Sequence, residues 1–101
     1  MSFVNAGTLG TRPGMRDELV ARLVQRNETL RALGCQLYEV GTNSEQPDTV
    51  FVVEIWDSAE AHSASLRDPH VAAAIAEARH LLNGHFGGFR FEVSGSPLRD
   101  G

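Results

Sequence analysis

Three side chains in this sequence have the chemistry that a binding or catalytic site requires. His62 is the best candidate for accepting or carrying a proton, because the ordinary pKa of imidazole lies close to neutrality. Trp56 could stack on a flat ligand, and Asn5 could hydrogen-bond a carbonyl or phenolic oxygen. We therefore take these three as candidate catalytic residues. The residues predicted to contact a substrate beside them are Tyr38, Val52, Glu54 and Ser65.

Each candidate also has a structural interpretation, which the residues alone leave open. Trp56 is typical of a strand core, and His62 near a helix start is equally consistent with an exposed position. Asn5 would need hydrogen-bond partners if it were buried. Glu54 is more typical of an ion-pair or capping partner than of a general base. No catalytic role is expected for the other histidines, which are His70, His80 and His85.

The strands that would carry these residues follow from hydrophobic patterning. Apolar and alternating residues predict a first strand over Phe3–Leu9 and a last strand around Phe89–Val93. Cys35–Val40 and Thr49–Trp56 predict an antiparallel hairpin, joined by the polar segment Gly41–Asp48. Asn5, Tyr38 and Glu54 therefore come from three different strands.

The helices are predicted from an apolar stripe and from capping residues. The stripe over Met15–Leu33 predicts one helix that ends at Gly34. The segment Asp57–Glu60 is typical of a capping box, and Asp68 before a proline predicts a further helix start. We expect that last helix to continue through Leu82 and to stop at Asn83-Gly84.

The predicted order of elements is β-α-β-β-α-α-β within a chain of 101 residues, a length typical of one domain. Right-handed crossovers turn this order into an α+β fold of the ferredoxin-like type, an open four-stranded antiparallel sheet with helices on one face. We expect a single domain over residues 1–94 and a C-terminal tail over 95–101.

The third strand has apolar residues on both faces. Alternation places one set toward the helices, namely Val50, Val52, Glu54 and Trp56. The opposite set would be exposed in a monomer and comprises Phe51, Val53 and Ile55. Helices cover only one side of such a sheet, so the second face needs a partner surface. We predict a homodimer through this face, and a pocket between the sheet and the helices.

Composition and charge exclude several classes of function. A net charge of -4, with the arginines interleaved among acidic residues, leaves no positive stripe for nucleic acid. The longest apolar run, Val71–Ala76, is far shorter than the roughly 20 residues that cross a bilayer, and no signal peptide is recognised. We therefore expect a cytoplasmic protein without membrane contact. Cys35 is the only cysteine and is expected to be an unreactive thiol, and the histidine spacing predicts no metal site.

The segment from Glu54 to Val71 resembles one known family. A strand ending in Glu54-Ile55-Trp56, a short helix with Ala61-His62, and a helix opened by Pro69-His70 are similar to the antibiotic biosynthesis monooxygenases. The resemblance implies a dimeric α/β barrel that needs no cofactor. It also implies the oxidation of a polycyclic aromatic, anthrone or hydroquinone-type substrate by dioxygen to a quinone. Many members have a second histidine where this chain has Ser65.

Other functions stay open beside this one. A non-catalytic, dimeric small-molecule-binding domain of the same fold would explain the serine at position 65. Haem-degrading monooxygenases share the fold, but the resemblance is poor at Ser65, Ile75 and Gly7, where those enzymes place tryptophan, histidine and asparagine. Isomerases also use this fold, so the fold alone does not choose among activities.

Overall fold

A computed structural model describes residues 2–99 and contains one four-stranded sheet and four α-helices. The strands are β1 (Phe3–Thr11), β2 (Cys35–Gly41), β3 (Thr49–Trp56) and β4 (Leu82–Glu92). The helices are α1 (Arg16–Leu23), α2 (Glu28–Ala32), α3 (Ala59–Ser65) and α4 (Pro69–Ala78). A single 3₁₀ turn, Arg79–Leu81, joins α4 to β4.

The strand order is β2-β3-β1-β4, and every neighbouring pair is antiparallel. This order, with helices packed on one face, confirms the predicted ferredoxin-like α+β fold. The register places Asn5 of β1 between Glu54 of β3 and Arg90 of β4. Side chains of directly facing residues lie on the same side of a sheet, so these three meet on the helix-covered face.

The helix-covered face has two buried regions at opposite ends of β3. The apolar core contains Leu19, Val50 and Leu81. Six residues further along β3, roughly 20 Å in an extended strand, Trp56 is buried with His62. A cavity occupies the space between the two regions.

The prediction of one helix over residues 15–33 is wrong, because the structure divides this segment into α1 and α2. Asn27 adopts an extended conformation (φ -140°, ψ 91°), and its side chain accepts a hydrogen bond from the Leu30 amide at 3.2 Å. An N-cap of this kind starts a new helix and cannot lie inside an existing one. The apolar residues before and after this point keep helical spacing, but three polar residues lie between them: Gln25, Arg26 and Asn27.

The predicted start of the last strand is also wrong, since β4 begins at Leu82 and not near Phe89. Leu82 and the Asn83-Gly84 pair therefore belong to the strand and do not end α4. Gly84 and Gly88 have positive φ values of 90° and 146°, and pairing with β1 shifts register between Leu9 and Thr11. Irregular, glycine-rich pairing of this kind shows no period-2 pattern in the sequence.

The predicted ends and starts of the helices around Gly34, Ser58 and Asp68 are confirmed. The predicted helix stop at Gly34 is confirmed by its positive φ of 107°. The helix start predicted at Asp57–Glu60 is confirmed, but the capping box is wrong by one residue: Ser58 caps α3 by accepting a hydrogen bond from the Ala61 amide at 3.0 Å, so Glu60 does not occupy the N3 position. Asp68 caps α4, and its Oδ1 accepts hydrogen bonds from two amides of the first turn. These features depend on a few neighbouring residues, which explains why the sequence is sufficient to predict them.

Residues 93–99 contain no helix or strand. Met1, Asp100 and Gly101 lie outside the described residues, so the ends of the predicted domain and tail stay predictions. In residues 2–99, no helix is both long enough and apolar enough to cross a membrane.

Candidate functional site

An open cavity of about 1010 Å³ lies between the sheet and the helices. Its floor is formed by strands β1, β3 and β4, and its roof includes α4, which itself has no fully buried residue. All seven residues predicted to form the site line this cavity: Asn5, Tyr38, Val52, Glu54, Trp56, His62 and Ser65. Their roles remain predictions, but the tertiary structure brings them together.

A chain of hydrogen bonds connects four side chains on the cavity floor, and we call it the polar chain. Trp56 Nε1 donates to Glu54 Oε1 at 2.9 Å. Asn5 Nδ2 donates to Glu54 Oε2, also at 2.9 Å, and Arg90 Nε donates to Asn5 Oδ1 at 3.3 Å. Glu54 is only 8% exposed, and a buried carboxylate needs such donors. The polar chain therefore accounts for the charged residue in a strand that is otherwise apolar.

Asn5 can occupy the polar chain in only one orientation. Its carbonyl oxygen faces the Arg90 guanidinium, and its NH₂ group faces the Glu54 carboxylate. Exchanging the two ends of the amide would place oxygen against carboxylate and NH₂ against guanidinium, so both hydrogen bonds would be lost. One N–H of Asn5 is left for a ligand, while its oxygen is already committed.

His62 is buried between two aromatic side chains at one end of the cavity. Its ring centroid lies 5.8 Å from that of Phe3 and 5.5 Å from that of Trp56, and Trp56 meets it edge-on. The residue is 6% exposed, yet within residues 2–99 no protein group hydrogen-bonds to its ring. Within residues 2–99, every side-chain nitrogen or oxygen of a residue that is not exposed either contacts solvent or has a hydrogen-bond partner. A ring nitrogen of His62 is therefore available to a molecule in the cavity.

Ser65 lies one turn after His62 in α3 and is almost completely buried. Its Oγ donates to the His62 carbonyl oxygen at 2.6 Å, so its proton stabilises the helix backbone. The hydroxyl oxygen can still accept a hydrogen bond from a ligand. A small side chain here also leaves space in the cavity that a histidine would fill.

Tyr38 and Cys35 both face an environment that disfavours negative charge. Burial, followed by the charge of Glu54, raises the pKa of Tyr38 to about 12. The Tyr38 hydroxyl is therefore protonated near neutral pH and can donate a hydrogen bond to a ligand. Burial is also the largest cause that raises the pKa of the Cys35 thiol, which agrees with the expectation of an unreactive cysteine.

Trp56 and Val52 contribute walls to the cavity. Only 1% of the Trp56 surface is exposed, so in this conformation its ring offers little area for stacking. Its indole instead holds Glu54 and packs against His62. Val52 is half-buried and faces Gly7 across the sheet.

The sequence reasoning missed Arg90 and Phe86, which line the cavity from β4. In the sequence, Arg90 is only a polar residue within the predicted strand around Phe89–Val93. Alternation of Arg90 with Phe89 and Phe91 places the arginine opposite to the phenylalanines, but it does not say which face is covered. The register with β1 settles this by pairing Arg90 with Asn5.

Comparison with known proteins agrees with the fold. The family model of the antibiotic biosynthesis monooxygenases matches residues 2–77, which include every predicted site residue. The chain therefore belongs to this family, whose fold is of a general monooxygenase type. The match ends before β4. Among curated proteins, none matches this chain.

Several solved structures are similar to this one. A protein from Chloroflexus aurantiacus J-10-fl, provisionally named an antibiotic biosynthesis monooxygenase, is 32% identical with a TM-score of 0.78 over 98% of this chain and 100% of that chain. A protein from Deinococcus radiodurans with the same provisional name is 26% identical, with a TM-score of 0.74 over 98% and 99%. One from Bordetella bronchiseptica, 15% identical with a TM-score of 0.78 over 91% and 96%, shows the shared fold alone.

Proposed function

We propose that this protein is a cofactor-independent monooxygenase that oxidises an anthrone, phenol or hydroquinone-type aromatic substrate with dioxygen to a quinone. The observation that carries the proposal is the buried His62 ring, which has a nitrogen available inside a cavity of a chain from this family. A base in a partly dry cavity can take a proton from an electron-rich substrate and yield a reactive anion.

The reaction balances without an added reductant, as an anthrone illustrates. His62 takes one proton from the methylene carbon, and the resulting anion passes an electron to dioxygen. Recombination forms a carbon–oxygen bond, and the O–O bond of the peroxide breaks as the second methylene proton leaves. One oxygen atom enters the quinone and the other leaves as water, and the substrate supplies all the electrons. The protein contributes a proton acceptor, orientation and the exclusion of water.

Two polar groups can assist the anion. Tyr38 is a protonated donor close to Glu54, and Asn5 retains one N–H. Hydrogen bonds directed at an oxygen that gains negative charge stabilise the transition state more than the ground state. This favours substrates whose anion is delocalised onto a carbonyl or phenolic oxygen.

Oxygen consumption tests the proposal. We expect the metal-stripped, flavin-free protein to consume dioxygen with anthrone or a naphthol, and labelled dioxygen to place one heavy oxygen atom in the quinone. His62→Gln should lower the rate by about 10²-fold or more, as is typical when a general base is removed. His80→Gln, at an exposed site outside the cavity lining, is the matched control. An unchanged rate for His62→Gln, or no uptake above the uncatalysed rate, would contradict the proposal.

A second candidate is a non-catalytic small-molecule-binding domain, which the hydrogen bonding of Ser65 favours. The Ser65 hydroxyl proton is already used by the His62 carbonyl, so this position supplies no second proton carrier. Binding of aromatic ligands to the cavity without oxygen uptake would support this candidate over the enzyme.

We also propose that the uncovered face of the sheet forms a homodimer interface through Phe51, Val53 and Ile55. This face carries the adjacent side chains of Phe89 and Phe91, 65% and 47% exposed, with stacked ring centroids 6.2 Å apart. An apolar surface of this kind is typical of a protein contact. Light scattering should give twice the chain mass of 11.0 kDa at micromolar concentration. A mass of one chain would contradict the dimer.

A further inference from the structure

The strongest feature that the proposed function leaves unused is Arg90. It lies on β4, is exposed, and lines the cavity. Two other cavity arginines have acidic partners, since Arg22 lies 3.8 Å from Glu18 and Arg26 lies 2.6 Å from Glu28. Within residues 2–99, no carboxylate lies within 4.0 Å of the Arg90 guanidinium.

The charge of Arg90 is held in place without being neutralised by contact. Its Nε is occupied by Asn5, and the amide of Asn5 separates it from the carboxylate of Glu54. Glu54 is itself occupied on both oxygens and buried. Glu92 follows two residues later on the same face of β4, without an ion pair to Arg90 in the described structure. The two NH₂ groups of Arg90 are therefore left as donors for a ligand.

One row of the cavity floor, next to Arg90, has no side chains. Facing residues of β1 and β4 form this floor in three rows: Asn5 with Arg90, Gly7 with Gly88, and Leu9 with Phe86. The middle row consists of two glycines, and both line the cavity. A side chain at either would meet backbone, since a Cβ on Gly7 would lie 2.8 Å from the Gly87 carbonyl oxygen. The middle row of the floor is therefore bare peptide.

The spacing of the three rows fits a ligand that has a flat ring and an attached acidic group. Rows on the same face of a strand are two residues, or roughly 7 Å, apart. A flat ring can lie on the Gly7–Gly88 row against the ring of Phe86, which is 60% exposed, and an attached acidic group then reaches Arg90. Guanidinium binds a carboxylate through two parallel hydrogen bonds, which a planar acid offers in the correct geometry.

We propose that Arg90 determines substrate specificity and that the cavity takes flat aromatic molecules carrying a carboxylate. The ring lies on the glycine row, and the carboxylate binds the NH₂ groups of Arg90. The inference rests on the proposed function only in taking an aromatic ligand for this cavity. Arg90 lies outside residues 2–77, the part of the chain that the family model matches.

A matched pair of ligands tests this without turnover. The probes are 1-hydroxy-2-naphthoate and 1-hydroxy-2-naphthamide, which have nearly the same shape and differ in charge. Their binding is followed by titration calorimetry and by quenching of Trp56, the only tryptophan in the chain. We expect the acid to bind about tenfold more tightly than the amide, a ratio typical of one charge-assisted contact, and the preference to decrease with salt.

Variants locate the source of that preference. Arg90→Gln should remove it, and Arg90→Lys should retain part of it, because the charge stays but the bidentate geometry is lost. Arg26→Gln, at a cavity arginine with an acidic partner, should leave it unchanged. Circular dichroism should confirm that each variant is folded.

Several outcomes would overturn the inference. These are equal binding of acid and amide to the unmodified protein, a preference that survives Arg90→Gln, a preference lost in Arg26→Gln, and no binding of either probe. An acid preference that depends on Arg90, together with no oxygen uptake, would uphold this inference while the proposed monooxygenase function fails.

Discussion

The two faces of the sheet differ in how their surfaces are completed. The helix-covered face has polar residues, and each is bonded within the chain or faces the cavity, as the polar chain from Trp56 to Arg90 shows. The uncovered face along β3 and β4 carries apolar residues such as Val53 and Phe89. A ligand can therefore complete the first face, whereas exposed apolar side chains such as those of the second face are typical of a protein contact.

The same strand serves both faces. In β3, Val50 is completely buried while Val53 is 36% exposed, although both are valines three residues apart. A strand with period 2 sends residues at odd and even spacing to opposite sides. A shift of one residue in register would exchange the two surfaces, so the pairing with β1 decides which surface becomes the cavity.

The largest effect is expected when a charged residue is placed on each face of the sheet in turn. Val50→Asp should destabilise the fold by more than about 4 kcal/mol, because a buried charge without a partner is among the costliest substitutions. Val53→Asp, on the same strand, should leave the chain folded and weaken self-association at least about tenfold. Urea unfolding and light scattering separate the two effects. Equal loss of stability in both variants would show that Val50 and Val53 are buried to the same degree, which would contradict the difference between the faces.

The polar chain gives the next largest effect. Glu54→Gln should destabilise the protein by about 1–3 kcal/mol, because glutamine cannot accept hydrogen bonds from both Trp56 and Asn5 with a carboxylate's strength. Glu45→Gln, in the exposed β2–β3 loop, should change stability by less than about 0.5 kcal/mol. Urea unfolding measures both variants. Indistinguishable values would mean that the polar chain does not stabilise the covered face.

The half-buried phenol of Tyr38 on the covered face gives a smaller effect that depends on pH. The raised pKa of Tyr38 means that the folded state favours the protonated form, so its contribution is complete below pH 10 and is lost as pH rises through about 12. At pH 11 we expect a loss of about 1 kcal/mol, which Tyr38→Phe should abolish.

Tyr38 is the only tyrosine, so absorbance at high pH reports its ionisation directly. Its midpoint should fall in Glu54→Gln, because the Glu54 charge is the second cause of the raised pKa. A midpoint near 10 in the folded protein would show that the covered face does not bury this group.

Ser65→Ala should have the smallest effect. It removes the hydrogen bond to the His62 carbonyl and should cost about 1 kcal/mol relative to Ser63→Ala, an exposed serine of the same helix. The comparison between the two variants cancels the higher helix propensity of alanine. Thermal unfolding is the measurement, and an equal melting temperature for both variants would remove the structural role given to Ser65.

Much of the fold could be predicted because its signals are local. The cap at Asp68, the stop at Gly34 and the exact bounds of β3 each depend on a few consecutive residues. The break at Asn27 was missed, because the spacing of apolar residues alone does not show that a capping side chain has started a second helix. The early start of β4 was missed because glycines replace the alternating pattern there.

The sequence was sufficient to predict the order of elements along the chain, the apolar residues on both faces of β3, and seven candidate residues, all of which line one cavity. The three-dimensional structure was needed to show that Arg90 faces Asn5 and that Gly7 faces Gly88. It was also needed to show that the Ser65 hydroxyl is hydrogen-bonded to its own helix. The reason is physical. Alternation assigns a residue to one side of its own strand, whereas the register between β1 and β4 depends on the packing of the 70 residues between them.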